Sequence, residues 1–139
     1  MKIKLPKRGF EKLTKEKARI IAHLIGDGCH FKTKSNYVIK YEVSDNELMK
    51  QFNKDLIKTY GLEPKYGLNP SGKTGKLIPF ILLRSRIVFD DLSKYATYYS
   101  KDWKLNSLVL NYSTEIKREF LRSLFDDEGK VINIKYTKE

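Results

Sequence analysis

Three groups of residues in this chain have the types and spacing that chemistry needs. The first is a pair of acid-glycine steps, Asp27-Gly28 and Glu128-Gly129, each closing an apolar stretch of helical spacing; Asp126 and Asp127 crowd the second one. One acid-glycine step alone is an ordinary solvated helix end. Two of them on matching helices form a repeat, and what the repeat can do depends on whether the ends meet. The second group, Gly67-Leu68-Asn69-Pro70-Ser71-Gly72-Lys73-Thr74, fits the phosphate-cradling loop of nucleotide-binding proteins letter by letter. Such a loop must run straight into a helix whose N-terminus faces the phosphates, and Gly75 and Pro79 sit where that helix would start. No nucleotide is therefore expected, and Lys73 and Lys76 are better used in a loop that reaches nucleic-acid phosphates. The third group, His23, Cys29 and His30, has the ligand types of a zinc site but lacks a second ligand pair. A packed or hydrogen-bonded His23 is the expectation.

The charge balance narrows the partner. Lys and Arg number 28 against 17 Asp and Glu, a formal net charge of +11 over 139 residues, which favours a polyanion. No apolar run approaches membrane-spanning length, so nucleic acid leads over a membrane surface. A Lys-rich chain with Gln51 as its single glutamine also fits adaptation to heat, which explains many charges but not their imbalance. Cys29 is the only cysteine, so no intrachain disulfide can form. Met1 to Phe10 is charged and lacks the apolar stretch of a signal peptide, so a cytoplasmic location is expected.

The positioning elements follow from periodicity. Thr14 caps a helix with Ala18, Ile21, Ala22, Leu24 and Ile25 at helical spacing, ending at Gly26-Asp27-Gly28. His30 to Val43 reads as two strands about a Ser35-Asn36 turn, with Lys32, Lys34 and Lys40 sharing one parity. Ser44 and Glu47 form a capping box for a helix presenting Leu48, Phe52, Leu56 and Ile57, stopping at Gly61. Lys65 to Leu68 and Leu77 to Arg84 make a second strand pair. A helix from about Ser85 to Tyr98 presents Ile87, Val88, Leu92 and Tyr95, and Ser100 to Tyr112 reads as short turns or a short helix. Ser113 or Thr114 caps a last helix containing Ile116, Phe120, Leu121, Leu124 and Phe125 that ends at Gly129, and Val131 to Tyr136 forms a final strand. The apolar helix that ends in acid-glycine and runs into a strand thus occurs at Lys15 to Phe31 and again at Glu115 to Val131, a weak internal repeat.

Those two copies carry a resemblance. Ile20-Ile21-Ala22-His23-Leu24-Ile25-Gly26-Asp27-Gly28 resembles the first LAGLIDADG motif of homing endonucleases, in the form common among archaeal and intein-borne enzymes. Leu121-Arg122-Ser123-Leu124-Phe125-Asp126-Asp127-Glu128-Gly129 resembles the second. The resemblance implies an α+β fold: an αββαββα unit with an antiparallel DNA-binding sheet, followed by the second motif helix and one strand. It divides the chain into residues 1–112, a first repeat with a complete sheet, and 113–139, the opening of an incomplete second repeat, as in a chain truncated after its second motif.

The resemblance also implies the chemistry. In this family the motif helices pack side by side through small residues, here Ala22, Gly26 and Ser123, and each delivers one carboxylate to a shared metal site. Those would be Asp27 and Glu128, holding Mg²⁺ or another divalent cation for phosphodiester hydrolysis. Asp127 stands where the family has a small residue and could bind metal or repel its neighbours; Asp126 reads as a peripheral charge. Lys104 falls where intein-type relatives carry a basic residue near the active site, although Asn106 replaces the proline usual there. It could stabilise the transition-state charge, or be an exposed lysine beside Trp103. On the sheet, Lys32, Lys34, Asn36, Tyr37, Lys40, Lys65, Lys73, Lys76 and Arg84 are the candidates to touch DNA. The expected function is a metal-dependent double-strand DNA endonuclease. Covering a full site would take a second copy of the chain or a C-terminal repeat. A DNA-binding module of the same fold that has lost cleavage, and an RNA-binding, maturase-like protein, stand as alternatives.

Overall fold

The computed structural model describes residues 13–70, 75–98, 104–105 and 112–128. Along the chain these form α1 (Lys15–Asp27), β1 (Gly28–Lys32), β2 (Tyr37–Glu42), α2 (Asn46–Tyr60), β3 (Lys65–Pro70), β4 (Leu77–Arg84), α3 (Arg86–Ser93), the two-residue strands β5 (Ala96–Thr97) and β6 (Lys104–Leu105), and α4 (Thr114–Glu128). The fold is α+β, with an antiparallel sheet in the order β1-β2-β4-β3 and helices on one face. No helix among the described residues is long and apolar enough to cross a membrane.

Helix α1 begins where expected: the Thr14 hydroxyl accepts the Lys17 amide at 3.1 Å. It is buried on nearly every side from Lys17 to Ile25, as a helix enclosed by a sheet, α2 and α4 must be. Helix α4 lies along it, capped by Ser113, whose hydroxyl accepts the Ile116 amide at 3.3 Å. It turns Ile116, Phe120, Ser123 and Leu124 inward.

Helix α2 departs from the expectation twice. Its cap is Asp45 rather than Ser44, because the Asp45 carboxylate takes the amides of both Glu47 and Leu48, at 2.8 and 3.2 Å. Its buried face is Met49, Phe52, Asp55, Leu56, Thr59 and Tyr60, while Leu48 is half-buried and Ile57 is exposed. The helix rolls because Asp55 and Tyr60 find partners, half-buried Arg19 and buried Asp91, so polar residues can take inner positions. Gly61 then ends the helix at φ 73, a left-handed conformation that costs a side-chain-bearing residue.

The sheet has one covered and one open face. Ile39, Tyr41, Ile81 and Leu83 point into the core, and their registers are Ile39↔Leu83 and Tyr41↔Ile81. Lys40, Leu82 and Lys65 form one cross-strand row on the open face, and Glu42, Phe80 and Gly67 form the next. The register Lys32↔Tyr37 and Cys29↔Lys40 corrects the shared parity expected for the three lysines. Odd positions of β1 pair with even positions of β2, so Lys32 falls on the helix side and Lys40 on the open side. Lys34 belongs to neither face, since it lies in the exposed turn.

Helix α3 stops at Ser93, short of the expected Tyr98, and the chain turns at Lys94 and Tyr95 into β5. Lys104 and Leu105 pair with β5 as β6, while the rest of the Ser100 to Asn111 stretch expected as turns or a short helix lies outside the described residues. Tyr98 is buried all the same, its hydroxyl donating to the Leu92 carbonyl at 2.8 Å. The final strand expected at Val131 to Tyr136 lies outside the described residues.

Candidate metal and nucleic-acid site

The two motif helices pack tightly near their C-terminal ends. Ala22 and Ser123 are fully buried, and a Cβ built on Gly26 would stand 2.6 Å from the Cβ of Asp127. That separation is far below any real carbon-carbon contact, so α1 and α4 approach this closely only because residue 26 has no side chain. Gly26→Ala must push the helices apart, and overpacking of this kind costs about 1–3 kcal/mol. The expected result is a lower urea midpoint at unchanged slope; a variant as stable as the parent would show that the helices do not meet here.

Asp27 and Glu128 each follow that contact by one residue and are the last residues of α1 and α4. Asp27 is exposed. Neither helix has a basic side chain in its last turn, where Lys or Arg would ordinarily offset the partial negative charge of the helix end. Two helices that meet at Gly26 and Asp127 thus each end one residue later in an acid.

Asp127 is not available for that junction. Its side chain is fully buried, with one oxygen accepting from His23 Nδ1 at 2.7 Å and the other accepting from the Tyr41 hydroxyl at 2.5 Å. Gln51 lies 3.4 Å beyond, against His23 Nε2. Of the two roles left open for Asp127, ligand or source of repulsion, the structure supports neither: it is a polar pin joining α4 to α1 and β2. Burial, and then the neighbouring carboxylate, push the Tyr41 hydroxyl well above its ordinary range, so it stays protonated and donates. The signal for this pin was a histidine inside an apolar helix, matched by an acid at the second motif's small-residue position. Asp126 is exposed and peripheral.

A second clamp fixes the same helices farther back. Arg19 grips Asp55 of α2 with Nε and Nη2, both at 2.9 Å, and reaches Glu119 of α4 with Nη1 at 3.0 Å. The paired hydrogen bonds to Asp55 raise the guanidinium's proton affinity further, and the planar fork fixes the angle between helices. No sequence pattern pointed to this clamp.

The remaining candidates are scattered. Lys40, Lys65 and Arg84 occupy the open face; Asn36 joins Lys34 in the β1–β2 turn, and Lys76 precedes β4. Tyr37 stands on the helix side, edge-on to Phe89 at 5.2 Å, with the Lys32 ammonium and the Arg86 guanidinium over its ring at 5.8 and 5.3 Å. Lys73 lies outside the described residues. Lys104 sits on β6 opposite Thr97. Of the zinc-like trio, His23 is held by Asp127, and His30 Nε2 donates to the Phe89 carbonyl at 3.0 Å. Gly67 to Pro70 belong to β3, and after Lys76 the chain enters a strand, so the helix a phosphate loop requires is not formed.

No protein-family profile matches this sequence, and no curated protein matches it. Solved structures do. Mesophilic variants of the homing endonuclease I-DmoI align over 88% of this chain and 62% of theirs, at TM-score 0.58 and 16% identity. The homing endonuclease I-WcaI bound to its DNA recognition sequence aligns over 84% and 52%, at TM-score 0.56 and 21% identity. The fold is that of the homing endonucleases. I-DmoI in complex with DNA and Mn aligns over 87% of this chain and 66% of its own, at TM-score 0.57 and 16% identity. The present chain therefore spans less than two thirds of the length of each of these homing endonucleases.

Proposed function

We propose that this chain is a LAGLIDADG homing endonuclease, or the portion of one that holds both motif helices and one complete sheet. Residues 1–112 would form the first repeat and 113–139 would open a second. The supporting observation is the helix junction: two apolar helices meet at Gly26 and Asp127, and each ends one residue later in an acid with no basic side chain in its last turn. Each helix end adds about half a negative charge to its carboxylate, so a cation is favoured there. Carboxylate oxygens suit Mg²⁺ or Mn²⁺, with Asp27 and Glu128 as the ligands proposed. Among the described residues no group of three His, Cys, Asp or Glu converges on one position. Phosphate oxygens and water would complete the shell, as Mg²⁺ commonly requires. Bound there, the ion would supply an activated water and neutralise charge at the scissile phosphate.

The chain's own residues do the positioning. The Asp127 pin and the Arg19 clamp set the distance between the two ligand-bearing helix ends. The net positive charge and the lysines of the open face supply affinity for duplex phosphates. Lys104 is the proposed stabiliser of developing charge on the phosphate. A second copy of the chain, or a C-terminal repeat, would cover the rest of a full recognition site.

The test is selection of a bound target from a randomised duplex library by the full chain, followed by incubation with Mg²⁺, Mn²⁺ or EDTA. Cleavage with either metal and none in EDTA is expected. Asp27→Asn should retain binding within a few-fold and lose cleavage by roughly 10²-fold or more. A retained but uncut duplex would reduce the protein to a DNA-binding module. Preferential capture of structured RNA over duplex would favour the maturase-like alternative.

A further inference from the structure

The open sheet face is unlike a surface built to read bases by hydrogen bonds. At its centre Leu82 lies between Lys40 and Lys65 in one cross-strand row, Phe80 lies between Glu42 and Gly67 in the next, and Ile78 stands opposite Asn69. All three apolar side chains are half-exposed, whereas the alternate residues of β4, Pro79, Ile81 and Leu83, are buried. Phe80 is held in place: a Cβ on Gly67 would fall 2.5 Å from its ring, and the Lys40 ammonium packs over the ring at 4.8 Å.

Arg84, at the end of β4, is the side chain of this face best suited to a base edge, while the polar groups at its centre are engaged or poorly suited to one. Asn69, the side-chain type that pairs with adenine, spends its amide nitrogen on Glu42 at 3.0 Å, and that bond occupies the carboxylate that could have met cytosine. Lysine is a point charge on a flexible stem, suited to phosphates and weak at bidentate recognition. What the centre of this face offers a major groove is hydrocarbon flanked by positive charge. Only one base presents hydrocarbon there, through the C5 methyl of thymine.

We infer that Leu82, Phe80 and Ile78 are specificity-determining contacts to thymine methyl groups, so that the duplex bound by this sheet is thymine-rich where the centre of the face meets it. This rests on the DNA-binding reading above. The partner is duplex DNA because of the flanking lysines and the net charge of +11. Duplex RNA lacks both the methyl and an accessible major groove.

The experiment replaces thymine with uracil, position by position, in the duplex selected from a random library, and measures the dissociation constant by fluorescence anisotropy. Uracil removes the methyl and leaves every hydrogen-bonding group in place. Each contacted thymine should weaken binding about three- to five-fold on conversion, the value of one buried methyl group. Leu82→Ala should flatten the difference at one or more of those positions. Binding unchanged by uracil at every position overturns the inference and leaves the DNA-binding reading standing. Failure to retain any duplex overturns that reading and the inference with it.

Discussion

Asp91→Ala should lower folding stability by roughly 3–5 kcal/mol, a large part of what a domain this size possesses. The carboxylate is 1% exposed and the Lys17 ammonium 0%, and they meet at 2.6 Å. The Tyr60 hydroxyl donates to the same oxygen at 2.6 Å, and the rings of Tyr60 and Tyr95 stand 5.5 and 5.1 Å from the ammonium. Removing the acid takes from the buried ammonium its carboxylate and from the Tyr60 hydroxyl the oxygen it donates to. Burial already lowers the proton affinity of Lys17, with Asp91 opposing that effect. Without that opposition Lys17 should give up its proton more readily, which limits the penalty without removing it. Replacing the group by hydrocarbon is a different experiment. Lys17→Met, Asp91→Leu and Tyr60→Phe together turn the three buried groups into hydrocarbon and leave Lys94, which meets the other Asp91 oxygen at 3.6 Å and is 57% exposed, to solvent; such cores are often as stable as the buried pair they replace. Urea denaturation of the single and triple variants separates the cases. A loss below about 1 kcal/mol for Asp91→Ala would put the pair in the class of exposed ion pairs, contrary to the burial described.

This cluster also shows what the sequence makes legible and what it hides. Helix α1 could be read from Thr14 and its apolar spacing, because cap chemistry and periodicity act within a few residues. The interior of α2 could not, because Asp55 and Tyr60 are polar as letters and become core residues only when Arg19 and Asp91 meet them. Those partners lie 36 and 31 positions away, and nothing local announces them. The two faces of the sheet failed for a similar reason. Alternation within β1 and within β2 was visible, but the relation between them depends on how the 33–36 connection sets the register, and a one-residue difference puts Lys32 on the opposite side from Lys40. Helix α3 was read too long because Tyr95 continues its apolar spacing, although Tyr95 is buried from a turn. At the junction, the paired motifs pointed to α1 and α4, yet the role of Asp127 required knowing that Tyr41 points inward.

Asp127 and Glu128 are adjacent acids on one helix, and exchanging each for its amide should give opposite results. Asp127→Asn keeps an oxygen to accept from Tyr41 and gains an amide that can donate to His23 Nδ1 once the imidazole changes tautomer. The pin survives in neutral form, and the stability loss should be about 1 kcal/mol, the ordinary scale of one altered hydrogen bond. Asp127→Ala removes both acceptors and leaves the Tyr41 hydroxyl and His23 without them inside the α1–α4 contact. Its cost should be roughly 3 kcal/mol, since each abandoned buried donor is worth about 1–3. Glu128→Gln follows the reverse pattern under the proposed function: metal-dependent cleavage of the selected target falls steeply, while the Asp127 pin is left intact and the urea midpoint moves little. The measurements are cleavage rate against Mn²⁺ concentration and urea denaturation for all three variants. Asp127→Asn should cleave with the parent's metal dependence, because a fully buried side chain held by His23 and Tyr41 is closed to an ion. If instead Asp127→Asn shifts the metal requirement and Glu128→Gln leaves it untouched, the ligand assignment must move one residue back along α4. The pin would then have to open whenever metal binds.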